Sequence, residues 1–105
     1  MMADQLLDQE LREYELVYIL QPEMGEDAVL GVNDRVSQIV GNHNGQMIET
    51  EMWGRRTLAY PIKKHFEGHY VLLRLNMFPD GTDEVERYLR FNEDVLRFLM
   101  MRSDS

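Results

Sequence analysis

Two neighbouring runs of alternating residues constrain this fold more than any other feature of the chain. From Gln46 to Trp53, Ile48, Thr50 and Met52 fall on one face and Met47, Glu49, Glu51 and Trp53 on the other. That two-residue period belongs to a strand, because successive side chains leave a pleated backbone on opposite sides. Gly54 interrupts the pattern, which resumes through Leu58 and Tyr60 to Ile62, so a bend or bulge is expected at the glycine. His69 to Met77 alternates again, with His69, Val71, Leu73, Leu75 and Met77 against Tyr70, Leu72, Arg74 and Asn76. The expected reversal lies at Phe66-Glu67-Gly68, and the two strands make one long hairpin.

The flanking segments complete the architecture. Tyr14 to Leu20 mixes aromatic and β-branched residues and stops at Gln21-Pro22, since proline has no N–H to give a sheet ladder. Glu26 and Asp27 place acids in the first turn of a helix whose apolar stripe is Ala28, Val29, Val32, Val36, Ile39 and Val40, ending at Gly41 and Asn42. Gly31 inside that helix costs up to ~1 kcal/mol relative to alanine, which points to a close packing contact. Asn42-His43-Asn44-Gly45 then turns into the hairpin. After it, Pro79-Asp80-Gly81-Thr82 opens a second helix with Asp83 and Glu84 in its first turn and Val85, Tyr88 and Leu89 inward. Asn92-Glu93-Asp94 breaks this helix, and Val95 to Arg102 is a closing strand. The order β-α-β-β-α-β is that of an α+β, ferredoxin-like split βαβ fold: a four-stranded antiparallel sheet with two helices on one face.

Such a fold leaves one sheet face without helices. Here Leu16, Tyr18 and Leu20 stand opposite Val17 and Ile19, and Leu96 and Phe98 opposite Val95 and Leu99, so both faces are apolar and a partner is expected to cover the bare one. The domain is expected over 14–102, after an extension at 1–13 and before a short tail at 103–105. Leu6, Leu7 and Leu11 have roughly helical spacing, which leaves a short helix and a loosely held extension both open.

Charge is distributed unevenly. The chain of 105 residues carries a net charge of −8, yet between Trp53 and Arg74 five cations, Arg55, Arg56, Lys63, Lys64 and Arg74, face the single acid Glu67. A cationic strip on an anionic body argues against generic nucleic-acid binding and for a local contact. No cysteine is present, which removes disulfides, thiol nucleophiles and cysteine-based zinc sites and suits a reducing cytosol. No apolar run approaches the ~20 residues that span a bilayer, and the acidic N-terminus has neither a secretory nor a transit pattern. The reading is a cytoplasmic protein with no membrane partner.

Within Met52 to Lys64, arginine forks suit phosphate and stack on bases, while Trp53 and Tyr60 offer flat platforms. The plainer alternative is a solvated hairpin whose charges protect a sheet edge. Gly68-His69-Tyr70-Val71 sits where an RNA-recognition motif would carry its glycine-aromatic signature, but no base precedes Gly68 directly and Leu72, Leu73 and Leu75 fill the later positions. His65, Glu67 and His69 invite a metal reading, yet strand alternation and Gly68 splay histidines that would need one helical face. Glu49 and Glu51 could mimic paired catalytic carboxylates; a solvated or salt-bridged pair is the commoner arrangement. With no glycine-rich phosphate cradle and no nucleophile in a recognisable setting, neither an enzyme, a cofactor nor a metal is expected. An acylphosphatase-type site lacks its arginine-bearing loop after the first strand.

The same residues carry a family likeness. Tyr14-Glu15 opening a strand that stops at Pro22, then Trp53-Gly54-Arg55-Arg56-Thr57-Leu58-Ala59-Tyr60-Pro61-Ile62-Lys63-Lys64, Gly68-His69-Tyr70, Leu89-Arg90-Phe91-Asn92 and Val95-Leu96-Arg97 together resemble the bacterial small-subunit ribosomal protein family S-six, over Tyr14 to Arg102. The resemblance implies a structural subunit of the small ribosomal subunit. It would bind ribosomal RNA of the central domain together with ribosomal protein S-eighteen, without catalysis. By position it nominates Trp53, Arg55, Arg56, Tyr60, Lys63 and Lys64 in the signature hairpin and Arg90, Asn92, Arg97 and Arg102 in the C-terminal block, for contact with RNA or partner. Tyr60-Pro61-Ile62 is expected to help fix the hairpin's bend. The extension precedes the point where relatives usually begin, and many relatives continue past the position of Ser105 with a longer charged tail. A different class stays open: an interaction domain whose bare sheet makes a homodimer without RNA, and self-association of the isolated chain is left undecided.

Overall fold

The computed structural model describes residues 10–103. Within them the expected order holds: β1 (Arg12–Leu20), α1 (Glu26–Asn42), β2 (Gln46–Ile62), β3 (His65–Met77), a single 3-10 turn (Pro79–Gly81), α2 (Thr82–Phe91) and β4 (Val95–Arg102). The expected extension lies outside the described residues up to position 9, and Arg12 and Glu13 already belong to β1. The strands form one sheet in the order β2-β3-β1-β4, with every pair antiparallel. Both helices cover one face, where Leu16, Tyr18 and Leu20 of β1 and Leu73, Leu75 and Met77 of β3 meet Val36 and Ile39 of α1 and Val85 and Leu89 of α2. Each of these side chains leaves water almost completely, which stabilises the fold by about 1.5–3 kcal/mol per large aliphatic residue. No helix among the described residues is long and apolar enough to cross a membrane.

Helix α1 begins at Gly25, whose carbonyl accepts from Ala28 and Val29 N–H, and ends where Asn44 takes a left-handed φ of 61°. Its buried stripe is the expected one except that Ala28 is exposed and Asn33 is buried. Gly31 has open space around it, so the packing contact expected there does not exist.

The hairpin departs from the sequence reading in an instructive way. The reversal is at Lys63-Lys64, with Ile62 paired to His65, and both lysines adopt positive φ, 49° and 70°. Left-handed backbone is usually left to glycine or asparagine, so a lysine pair gives a poor turn signal. Gly68 is a buried strand residue: a side chain there would strike the Ile19 methyl and the Leu20 carbonyl. It is glycine because β3 runs tightly over β1, not because the chain turns.

Gly54 does interrupt β2 as expected, with φ 78° and a register shift between Met52 and Gly54. A further slip between Thr57 and Ile62 spans Pro61, which can give no ladder hydrogen bond. There the hairpin's far end covers part of the face that lacks helices. Leu58 joins Ile19 and Leu96 in a second small core, with Ile62 and Tyr70 at its margin. The bare face is therefore shorter than the fold alone implies. A register shift in β4, between the partners of Ile19 and Leu20, also changes which residues share a side. Val95, Phe98 and Met100 pack with the helices, while Leu96 joins the small core on the opposite face. The expected pairing of Leu96 with Phe98 against Val95 and Leu99 fails because one extra residue at a bulge reverses the alternation.

Candidate nucleic-acid interface

Two groups of side chains emerge from the hairpin. In its middle, the bulge at Gly54 lets Trp53 lie over Tyr70, ring centroids 6.3 Å apart and planes 10° from parallel. The indole N–H donates to Glu51 Oε1 at 3.1 Å. Arg56 lies over the Trp53 ring at 5.8 Å and its Nε donates to the Trp53 carbonyl at 3.3 Å. Trp53 keeps 44% of its surface exposed, with Tyr70 stacked on its ring and Arg56 over it. Arg55 is differently placed, in an ion pair with Glu67 at 3.0 Å that offsets its charge.

The second group sits at the hairpin's far end, where it folds back to β4. Arg97 of β4 lies over the Tyr60 ring at 5.6 Å and donates to its hydroxyl. Lys63 Nζ donates to the Val95 carbonyl at 3.4 Å. Arg90, in the last turn of α2, lies over the Phe98 ring at 5.9 Å. These contacts bring Lys63, Arg90 and Arg97 to one depression of about 220 Å³, walled otherwise by Leu89, Val95, Leu96 and Phe98. No acid lines it. Lys64 projects from the neighbouring turn position and is exposed.

The structure thus joins Tyr60, Lys63, Arg90 and Arg97, and groups Trp53 with Arg56. It does not join the others to them. Asn92 serves its own loop, donating to the Tyr88 hydroxyl at 3.3 Å and accepting from Asp94 N–H at 2.9 Å. Arg102 lies five residues along β4 from Arg97, about 17 Å away at strand spacing. Alternation groups Tyr70, the stacking partner of Trp53, only with Leu72, Arg74 and Asn76; its position opposite Gly54 is what singles it out. His65, Glu67 and His69 do not converge on a metal, since Glu67 pairs with Arg55 and His69 Nε2 faces the Pro22 carbonyl at 3.3 Å. Glu49 pairs with Arg74 at 3.3 Å and Glu51 accepts from Trp53, so each carboxylate of that pair is engaged separately.

The remaining surfaces have different characters. On the open sheet face, Glu13, Glu15, Glu49 and Glu51 lie around Arg74, which bridges Glu13 at 3.5 Å and Glu49 at 3.3 Å. Leu99 and Met101 of β4 stand exposed on the same side. Between the helices runs a wider groove of about 640 Å³ in which Arg35 and Arg87 lie among Asp80, Asp83 and Glu84. His43 closes one end of it, its Nε2 2.8 Å from Glu84 and its Nδ1 3.7 Å from Asp80. Beneath the helices, burial first and the neighbouring Tyr88 second push the Tyr18 hydroxyl well above its ordinary pKa. That hydroxyl has no hydrogen-bond partner among the described residues.

Comparison with known proteins gives a consistent picture. The family model for ribosomal protein S6 matches residues 13–102. The small ribosomal subunit protein bS6 of Caldanaerobacter subterraneus is 39% identical over 94 residues, covering 90% of this chain and 99% of that protein. The bS6 of Granulibacter bethesdensis is 46% identical over 89 residues, covering 85% of this chain and 58% of that protein. The crystal structure of 30S ribosomal protein S6 from Thermotoga maritima superimposes with a TM-score of 0.83 at 27% identity, covering 90% of this chain and 89% of that one. An uncharacterized Thermotoga maritima protein, 17% identical with a TM-score of 0.56, shares the fold alone.

Proposed function

Because this chain belongs to the ribosomal protein S6 family, a family of the small ribosomal subunit, we propose that it binds ribosomal RNA of the central domain in company with ribosomal protein S-eighteen, as an assembly and structural component without catalysis. One observation carries the RNA reading. In a chain with 19 acidic residues, Arg56, Lys63, Lys64, Arg90 and Arg97 make no ion pair among the described residues. Arg35 and Arg87 make none either but lie among acids in the helix groove, whereas these five cluster at the hairpin and the β4 end and are free to neutralise phosphate. The exposed Trp53 and Tyr60 rings add sequence-tolerant stacking surface beside them.

The open sheet face supports the partner reading. Four glutamates around Arg74, beside exposed Leu99 and Met101, suit a basic protein that also brings apolar side chains. Pairing two copies through this face would set glutamate against glutamate, which counts against a homodimer.

Titrating a labelled central-domain RNA junction with this protein and S-eighteen, at several salt concentrations, tests the reading. If about four cations meet phosphate, log affinity falls against log salt with a slope of about −3 to −4. A flat response overturns the phosphate contact. Light scattering tests the partner: a stable heterodimer is expected, and a homodimer indifferent to S-eighteen and RNA contradicts it.

A further inference from the structure

Three cations far apart in sequence meet at one place outside the signature hairpin's outer surface. Lys63 comes from the hairpin turn, Arg90 from the end of α2 and Arg97 from β4, and together they line the acid-free depression beside the Phe98 ring. We propose that this depression is a phosphate-binding site, and that it seats one backbone phosphodiester of a folded RNA. The inference rests on the RNA reading above and assigns it a location that the family likeness leaves open.

The geometry supports a prebuilt site. Each cation is oriented by a contact inside the protein: Lys63 by the Val95 carbonyl at 3.4 Å, Arg97 by the Tyr60 hydroxyl and ring, Arg90 by the Phe98 ring at 5.9 Å. None of those contacts uses all the donors. An ammonium has three N–H groups and a guanidinium five, so each side chain retains donors for an anion after its internal contact is made. Orientation by neutral groups leaves the charge uncompensated, and ordering the long side chains beforehand lowers the entropic cost of binding. In the loop before β4, Asp94 accepts a hydrogen bond from Gln21 Nε2 at 3.2 Å, and neither it nor Glu93 lines the depression. By contrast, Arg35 and Arg87 lie in the helix groove among Asp80, Asp83 and Glu84. Cationic character alone therefore does not define the site; the absence of acids does. Lys63 reaches the depression while the hairpin's far end stays seated on β4 through Leu58 and Leu96.

Affinity and salt slope are measured for the labelled central-domain RNA junction, with S-eighteen present, using the wild type, Lys63→Gln, Arg90→Gln and the double variant. Arg87→Gln serves as a charge-matched control on the helix groove. Losing one phosphate contact costs about fivefold in affinity at 0.15 M salt and reduces the slope by about 0.7–0.9. Both single variants are expected to show up to this loss, the double variant no more than about fivefold in all because one phosphodiester carries one charge, and Arg87→Gln neither effect. Arg90→Gln is decisive because Arg90 lies on α2, outside the hairpin. If the wild type binds with a slope of about −3 to −4 while Lys63→Gln and Arg90→Gln bind equally well, the site is overturned and the wider RNA reading stands. If the wild type itself binds without salt dependence, the wider reading falls first. Inorganic phosphate, followed by side-chain NMR of the Lys63 ammonium and the arginine guanidinium groups, separates the sources. Signals that move with millimolar phosphate but not with RNA would make it a small-anion site and refute the RNA assignment. Unchanged circular dichroism in every variant keeps loss of folding out of the comparison.

Discussion

Replacing Leu58 by Ala tests the link between packing and the basic surface. Leu58 is 7% exposed and, with Ile19 and Leu96, forms the small core that holds the hairpin's far end on the sheet. Truncation removes a nearly buried side chain and leaves a cavity at a site with few neighbours to collapse into it. Leucine-to-alanine changes in full cores cost about 2–5 kcal/mol, and this satellite cluster belongs at the lower end, about 2 kcal/mol. For a domain of this size that lowers the melting temperature by about 10 °C. Chemical denaturation followed by circular dichroism measures the stability. RNA titration on the same protein, below its transition, measures the functional consequence: Lys63 is no longer held near Arg90 and Arg97, so affinity falls about fivefold and the salt slope shrinks by about one contact. Hydrogen exchange should show the protection loss concentrated in 57–68, with β1 unaffected. A stability change below about 0.5 kcal/mol, or full RNA affinity despite an opened hairpin end, would refute the reasoning.

Other perturbations probe separate parts of the structure. Tyr18→Phe removes a buried hydroxyl that has no hydrogen-bond partner among the described residues, so it should stabilise the fold by about 1 kcal/mol in urea denaturation; a loss of stability would show that the hydroxyl is satisfied. The Tyr18 pKa is raised by folding, so the protonated form favours the native state, and stability is expected to fall as pH rises beyond about 10, where the unfolded tyrosine ionises. Tyr18→Phe should flatten that alkaline loss, and an unchanged profile would assign it to other groups. Two glycine-to-alanine changes should have opposite signs. Gly31→Ala, in open space on α1, stabilises by up to ~1 kcal/mol, whereas Gly68→Ala drives a methyl into Ile19 and costs about 2 kcal/mol or more. Equal melting temperatures for the two would contradict the packing described at β3.

Most of the element order could be read from local patterns because alternation and helical stripes register burial directly, as Leu73, Leu75 and Met77 of β3 and Val36 and Ile39 of α1 do. What local patterns miss is the relation between segments. Gly68 looks like a turn residue until β1 is packed against it, and Lys63-Lys64 looks like a solvated charge pair until two positive φ angles are seen. The bulge at Leu96 reverses the faces of β4 through pairing with β1, a fact that the run from Val95 to Arg102 does not contain. The candidate surface was half legible for the same reason. Trp53, Arg56, Tyr60 and Lys63 lie in one conspicuous stretch, but the meeting of Lys63 with Arg90 and Arg97 depends on a hairpin that crosses to β4. Arg55 and Asn92 looked equivalent to their neighbours, and only the partners Glu67 and Tyr88 separate them from the cations that make no ion pair among the described residues.

Protein-RNA crosslinking within assembled small ribosomal subunits, mapped to single residues, tests the central claim most directly. Crosslinks from Tyr60, Lys63, Lys64, Arg90 and Arg97 to RNA are predicted, with Glu13, Glu15 and Leu99 instead joined to a basic protein neighbour. Crosslinks to RNA confined to the acidic helix layer, with the hairpin end and β4 silent, would contradict it.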